Sequence, residues 1–324
     1  MSSDNFSEKI TGYRLRINEA LLQIGKDAEP AYLYDPIRYV FSGKGKRIRP
    51  VLVLLTASGF GAGEDETLPA ALAVEILHNF SLVHDDIMDG DDLRHGKQAV
   101  HHRWDNPTAI LAGDGIFALA YDQLNHLNSA SDACLKVFTN AALRLCEGQA
   151  LDKAFEAIDE VSVDNYLEMV RLKTGTLLSL CCQIGAILGE ADDKEKAAVA
   201  YFGERVGQAF QIQDDILEIY SNSKNMGKSL GSDLVAGKKT FLTCKAEELN
   251  SSDWRTFMKS LDGEPLSERI PKMRDYFDVI GIVAEGETLV SHLSEEAVST
   301  LEPLPGSVKN NLVSFIELLT EREN

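Results

Sequence analysis

Apolar residues along the chain return at helical intervals almost throughout, and alternating β-branched runs are few. Thr67-Leu68-Pro69 reads as a helix start, with a capping threonine and a proline in the first turn. The stretch after it, AALAVEILHNFSLVHDD (70–86), is apolar on almost every side, as a helix at the centre of a bundle would be. Asn106-Pro107 opens another helix, TAILAGDGIFALAYDQL. Two more are expected over VDNYLEMVRLKTGTLLSLCCQIGAIL (163–188) and FGERVGQAFQIQDDILEIY (202–220). There is no Asn-Gly or Asp-Gly hairpin signal, no repeat and no low-complexity linker. Residues 221–239, rich in Gly, Ser and Lys, read as a loop, and Pro303-Leu304-Pro305-Gly306 as a turn before a last short helix. The expectation is an all-α fold, one domain over residues 1–324 built as a bundle of roughly ten or more helices.

Composition is globular, with 44% hydrophobic and 26% charged residues. The net charge of −19 sets nucleic acid and anionic membranes aside as main partners. It leaves room for phosphorylated small molecules, because a bound Mg²⁺ inverts the local field. The start, MSSDNFSEK, lacks the basic and apolar regions of a signal peptide. No run approaches the roughly 18 apolar residues of a membrane span, so no transmembrane segment is expected. The five cysteines, Cys134, Cys146, Cys181, Cys182 and Cys244, show no CxxC spacing and read as reduced thiols of a cytoplasmic protein.

Charge then breaks the apolar pattern at one place: Asp85, Asp86, Asp89, Asp91 and Asp92 follow the apolar helix within eight residues. On a helix Asp85 and Asp89 lie about 40° apart, flanked by Asp86. Like charges so placed repel unless a cation joins them, and carboxylate oxygen suits Mg²⁺, which keeps waters and shares itself with phosphates. A solvated helix end is the plainer alternative. A second segment, FQIQDDILEIY, repeats the pattern with Asp214, Asp215 and Glu218, and Gln211 precedes them on the same face. Two such segments favour metal-bridged diphosphate over chance. Basic groups gather in the same stretches: Lys46, Arg47 and Arg49 in SGKGKRIRP; Arg94, His95 and Lys97; Lys173; and Lys228, Lys238 and Lys239. In so acidic a chain they point to phosphate. NMGKS is no P-loop, since Asn222 stands where a glycine is required and no strand precedes it.

With GKGKRIRP, DDIMDGDDLRHG, EGQALD, KTG, FQIQDDILE and the GKKT lysines in this order, the chain resembles the trans-isoprenyl diphosphate synthases, the polyprenyl synthetase family. The motifs run from about residue 38 to 245. The resemblance implies helices around a central cavity and a Mg²⁺-dependent prenyltransferase with about three metal ions per site. An allylic diphosphate (dimethylallyl, geranyl or farnesyl) condenses with isopentenyl diphosphate, and the chain works as a homodimer. By motif, Asp85, Asp86, Asp89, Asp214, Asp215 and Glu218 would hold metal. Arg94, Lys173, Thr174, Gln211, Lys228 and Lys238 would hold the allylic diphosphate. Lys46, Arg49, His78 and the His95 position belong to isopentenyl diphosphate. Asp85, Asp86, Asp89, Lys173, Asp214 and Asp215 would carry the catalysis.

Two positions depart from the family. His95 stands where a second arginine is usual, and a neutral imidazole offers no fixed charge. Glu218 replaces the last aspartate of the second segment. Product length is expected to depend on a bulky residue shortly before Asp85. The family position is Phe80, whereas helix projection favours Ser81 and Leu77 unless a kink rotates the helix end. No extra residues separate the first aspartates, which favours a short product, geranylgeranyl diphosphate ahead of farnesyl or longer diphosphates. A His-Asp phosphohydrolase would leave the second segment unexplained, GKGKRIRP weighs against a terpene cyclase, and a non-catalytic subunit would be expected to lose its aspartates first.

Overall fold

The computed structural model describes residues 3–43, 45–127, 130–220 and 237–320. Its elements are α1 (Ser3–Leu21), α2 (Ala31–Phe41), α3 (Ile48–Gly59), α4 (Glu64–Asp89), strands β1 (Leu93–Arg94) and β2 (Lys97–Gln98), α5 (Val100–Arg103), α6 (Asn106–Leu124), α7 (Ser131–Phe155) and α8 (Val163–Val170). A π-helical turn (Arg171–Gly175) leads into α9 (Thr176–Leu188). Then come α10 (Asp193–Tyr220), α11 (Phe241–Ser260), α12 (Leu266–Ile280), α13 (Ile282–Thr300) and α14 (Gly306–Thr320). The fold is all-α, and among the described residues no helix is long and apolar enough to cross a membrane. The chain divides into two compact units. Residues 221–236, which include Lys228, lie outside the described residues.

The first unit holds residues up to Ala142, then Leu177–Gly203 and the C-terminal segment from Val298. Its centre is α4, packed against α3 and α6, with α14 on α3 and α2 on α6. Val51 to Leu55 of α3 and Ala70, Ala71, Ala73, Val74, Ile76 and Leu77 of α4 are all but inaccessible. The helix begins at Glu64, three residues before the expected start. Glu64, Asp65 and Glu66 meet the positive end of its dipole, while Gly63 takes the cap position. Thr67 is buried and turns its hydroxyl back to the Gly63 carbonyl at 2.8 Å. From there α4 runs uninterrupted to Asp89, so no kink rotates its end; the family position and the ideal projection have to be decided by packing. Asn106 does open α6, with Asp105 capping Thr108 N at 2.8 Å.

The second unit comprises Leu143–Thr176 and Glu204–Ala297. Tyr166, Met169, Ile212, Ile216, Phe241, Leu242, Trp254, Met273 and Phe277 form its core. The expected helix over 163–188 is in fact two, joined by the π turn at Arg171–Gly175. The cause is local crowding: a Cβ on Gly148 of α7 would lie 2.5 Å from Lys173 N, and one on Gly207 of α10 2.5 Å from the Gly175 Cα. Such inserts accompany functional sites.

In the first unit α9 approaches α3 at Gly185, where a Cβ would lie 2.6 Å from Thr56 Cβ and 2.8 Å from the Val53 carbonyl oxygen. Backbone on one side leaves nothing flexible to yield, so Gly185→Ala should cost about 1–3 kcal/mol of stability. Denaturant unfolding would register it, and an unchanged midpoint would show that the helices part freely.

Candidate active site

The first acidic segment ends α4. Along that helix Glu75, Asn79, Val83 and Asp86 form one buried stripe, and His78, Leu82, Asp85 and Asp89 form a neighbouring, half-buried one. Asp86 therefore continues the buried stripe and needs a partner inside the protein. It has one in Arg94, whose Nε donates to Asp86 Oδ1 at 2.7 Å and whose Nη2 bonds both Asp86 Oδ1 and, at 2.9 Å, Asp91 Oδ2. Gly90, left-handed at φ 68°, ends the helix and turns the chain towards the hairpin of β1 and β2. That hairpin lacks an Asn-Gly signal because His95-Gly96 makes its turn, with φ of 51° and 75°.

Next to this end of α4 stand the residues that the resemblance assigned to isopentenyl diphosphate. Arg49 Nη1 and His78 Nε2 meet at 3.0 Å. Burial first, then the positive charges of Arg49 and its neighbours, hold His78 well below the usual imidazole value of 6.5, so Nε2 accepts from the guanidinium. Its Nδ1 is buried with no hydrogen-bond partner among the described residues. Burial, then Arg94 and Arg47, also lower the pKa of His95. A small open pocket is lined by Tyr39, Asn79, Asp86, Arg94, His95 and Lys97 among others. It joins His95 to the Asp86–Arg94 pair.

In the second unit the same logic recurs on α10. Gln208, Ile212, Asp215 and Ile219 make the buried stripe, while Asp214 is exposed. Asp215 Oδ2 accepts from Tyr166 Oη at 2.5 Å and from the Phe241 backbone N–H, at the start of α11, at 2.8 Å. Its Oδ1 accepts from Gln211 Nε2 at 3.0 Å, which leaves Gln211 Oε1 to accept from Thr174 Oγ1 at 3.0 Å. Burial, then the Asp215 charge, pushes the Tyr166 phenol well above its ordinary value, so it stays a donor. In the π turn Lys173 Nζ bonds Asp152 Oδ2 at 2.5 Å. Glu218 is buried, and Lys238 follows left-handed Gly237 just before the Thr240 cap of α11.

Among the described residues no three His, Cys, Asp or Glu side chains converge into a ready-made metal cage. In the first unit the carboxylates of Asp85 and Asp89, on one half-buried stripe, are of the chemistry that suits Mg²⁺ with water and phosphate oxygen as further ligands. In the second unit exposed Asp214 is a donor of the same kind.

The family model for polyprenyl synthetases matches residues 30–276. The chain belongs to the polyprenyl synthetase family. It is 37% identical to a geranylgeranyl pyrophosphate synthase of Geoglobus acetivorans over 98% of this chain and 99% of that one. A geranylfarnesyl diphosphate synthase of Natronomonas pharaonis is also 37% identical, over 76% of this chain and 78% of that one. The crystal structure of a geranylgeranyl pyrophosphate synthetase from Pyrococcus horikoshii superimposes with a TM-score of 0.92, 31% identity and full coverage of both chains.

This prenyltransferase thus gathers Arg49, His78, His95, Arg94 and Asp86 in its first unit, and Lys173, Thr174, Gln211 and Asp215 in its second. Asp86 and Asp215, read from sequence as metal ligands, are buried and engaged with protein donors. Of the residues offered for product length, Leu77 is buried in the core and Ser81 turns its hydroxyl to the His78 carbonyl at 2.9 Å. Phe80 instead packs against Phe117 of α6, ring centres 4.8 Å apart. Tyr166, Asp152 and Gln149, whose amide atoms are buried without partners among the described residues, had no assigned role in the sequence. Gln149 and Asp152 lie in the EGQALD motif, whereas the hint for Tyr166 was a polar group on an otherwise apolar helical face.

Tyr166→Phe should cost about 1–3 kcal/mol of stability, since a buried carboxylate loses one of its donors. It should also lower turnover by loosening Gln211. Denaturant unfolding and steady-state rates measure the two effects, and wild-type values for both would show the hydroxyl to be idle.

Proposed function

We propose that this prenyltransferase condenses isopentenyl diphosphate with an allylic diphosphate, dimethylallyl, geranyl or farnesyl, and that its main product is geranylgeranyl diphosphate. Asp85, Asp89 and Asp214, with Glu218, are the metal-facing carboxylates. Bound Mg²⁺ supplies the positive charge that the departing diphosphate requires. Arg94, Lys173, Lys228 and Lys238 add fixed positive charge for the same diphosphate, and Thr174 and Gln211 orient it. Asp86 and Asp152 keep Arg94 and Lys173 in place, and Asp215 does so for Gln211. Loss of the diphosphate from the allylic carbon leaves a carbocation. The double bond of isopentenyl diphosphate, held by Lys46, Arg49 and His78, attacks that cation, and a proton leaves to restore an alkene. An apolar surround keeps water from the cation.

The product assignment is supported by four aromatic rings in series. Phe80, five residues before Asp85 on α4, leans on Phe117, which meets Tyr121 at 5.1 Å; Tyr121 meets Phe138 at 5.1 Å. A growing tail halted at Phe80 would find Phe117 behind it. The protein works as a homodimer in the cytoplasm. Exposed Ile110 and Leu111 on α6 and Leu135 on α7 offer apolar surface for such contact, and the free cysteines, four of them buried and Cys146 exposed, suit that compartment.

Incubating the protein with Mg²⁺, isopentenyl diphosphate and each allylic starter, and weighing the products after dephosphorylation, tests this reading. Elongation should stop at geranylgeranyl diphosphate, and Asp85→Ala should abolish it. Absence of elongation with every starter would refute the assignment. Phe80→Ala should lengthen products by about one isoprene unit, with Phe117 as the next stop, and Phe80→Ala/Phe117→Ala by more. An unchanged ladder in both would move the floor elsewhere.

His95 gives a pH test. Its lowered pKa keeps the ring neutral at and above 6.5 and charged only at lower pH. The KM for isopentenyl diphosphate should therefore exceed that of His95→Arg at neutral and alkaline pH, with the ratio shrinking as pH falls below 6.5. Equal KM values across the range would show that this position does not touch the substrate.

A further inference from the structure

The loop that carries Lys46 and leads into α3, whose first turn holds Arg49, has two glycines, Gly43 and Gly45, and little intrinsic rigidity. What fixes it is Arg47. Its backbone is left-handed, with φ 52°, a conformation that residues with a Cβ seldom adopt, and its side chain is buried. The guanidinium spends its donors inward. Nη1 bonds Glu75 Oε1 of α4 at 2.6 Å, Nε bonds Asn18 Oδ1 of α1 at 2.8 Å, and Nη2 bonds the carbonyls of Gly43 at 2.6 Å and Phe41 at 3.5 Å. One planar group thus ties the loop to two helices. Gly45 packs close beside it, where a Cβ would lie 3.1 Å from Nη1. Glu75 is equally buried; desolvation holds its carboxyl above the ordinary carboxylate value, and Arg47 opposes that shift only in part. Three residues further along α4 stands His78, whose Nε2 meets Arg49 Nη1 at 3.0 Å. Neither Arg47 nor Glu75 is exposed enough to touch a diphosphate.

We propose that the buried Arg47–Glu75 pair is a positioning device for isopentenyl diphosphate, pinning the loop to α4 so that Lys46 and Arg49 stand in register with His78. The proposal rests on the reading of Lys46, Arg49 and His78 as that substrate's site. Stability alone accounts poorly for the pair, because a buried ion pair commonly stabilises no better than apolar side chains of the same volume. The same fact supplies the test. Glu75→Ala would leave Arg47 buried without its counter-charge and would unfold or strain the unit. Arg47→Met/Glu75→Leu removes both charges together and keeps the volume, but it releases the loop.

The experiment measures thermal unfolding of the full chain and then, with Mg²⁺, KM for each substrate at saturating levels of the other. For the double variant the melting temperature should hold. KM for isopentenyl diphosphate should rise about tenfold, while kcat and KM for the allylic diphosphate stay within about threefold. Glu75→Gln, which keeps one hydrogen bond but no charge, should raise the same KM by about threefold. A folded double variant with wild-type KM for isopentenyl diphosphate overturns the proposal. If the double variant does not fold, Glu75→Gln decides: a raised KM for that substrate alone supports the proposal, and a wild-type KM overturns it. Arg49→Ala is the control on the site. If it leaves that KM unchanged, the assignment of the isopentenyl site falls, and the positioning role with it. If it raises KM while the pair variants do not, the positioning role alone falls.

Discussion

A carboxylate taken out of water must be met by a cation or by several donors, and this constraint organises the site. Four carboxylates illustrate it: Glu75 is met by Arg47, Asp86 by Arg94, Asp152 by Lys173, and Asp215 by Tyr166, Gln211 and the first amide of α11. All four are buried. Each therefore fixes a partner instead of reaching out to one, and three of the four hold in place a residue assigned to substrate. The acidic segments divide accordingly: the inward aspartate anchors a partner within the protein, and Asp85, Asp89 and Asp214, proposed to face metal, are its less buried neighbours.

That division explains how two helices with the same D-D pattern can be both folded and reactive. A helix end bearing several ionised carboxylates is costly unless some are neutralised within the protein. Arg94 performs that service for Asp86 and Asp91, while the hairpin turn at His95-Gly96 sets the angle at which it arrives. The π turn at Arg171–Gly175 is the counterpart in the second unit. It places the successive residues Lys173 and Thr174 so that one meets Asp152 and the other Gln211.

Much of this was legible in the sequence, and the omissions have physical causes. The helices, the acidic segments and the basic groups follow from period and charge, and the ordered motifs carried the family. The start of α4 was misplaced because a threonine before proline resembles a cap, whereas the glycine and three acidic residues ahead of it satisfy the helix end as well. The π turn left no trace in the apolar period, since it arises where Gly148 and Gly207 bring neighbouring backbones into contact. The hairpin escaped notice because histidine, not asparagine, takes the left-handed position. Which aspartate of each segment turns inward was in principle readable from the stripes Asn79–Val83–Asp86 and Gln208–Ile212–Asp215. The phenol of Tyr166 that receives one of them was not, because it comes from a different helix.

The division of labour among the carboxylates is the central claim, and calorimetric titration of the protein with Mg²⁺, alone and with inorganic pyrophosphate, tests it most directly. With the inward aspartates committed to protein donors and no three-ligand cage among the described residues, Mg²⁺ alone should bind weakly, and pyrophosphate should convert it to tight binding that Asp85→Ala abolishes. Tight, stoichiometric Mg²⁺ binding without pyrophosphate, lost on Asp86→Asn, would contradict the account, since the inward carboxylate would then be a metal ligand after all.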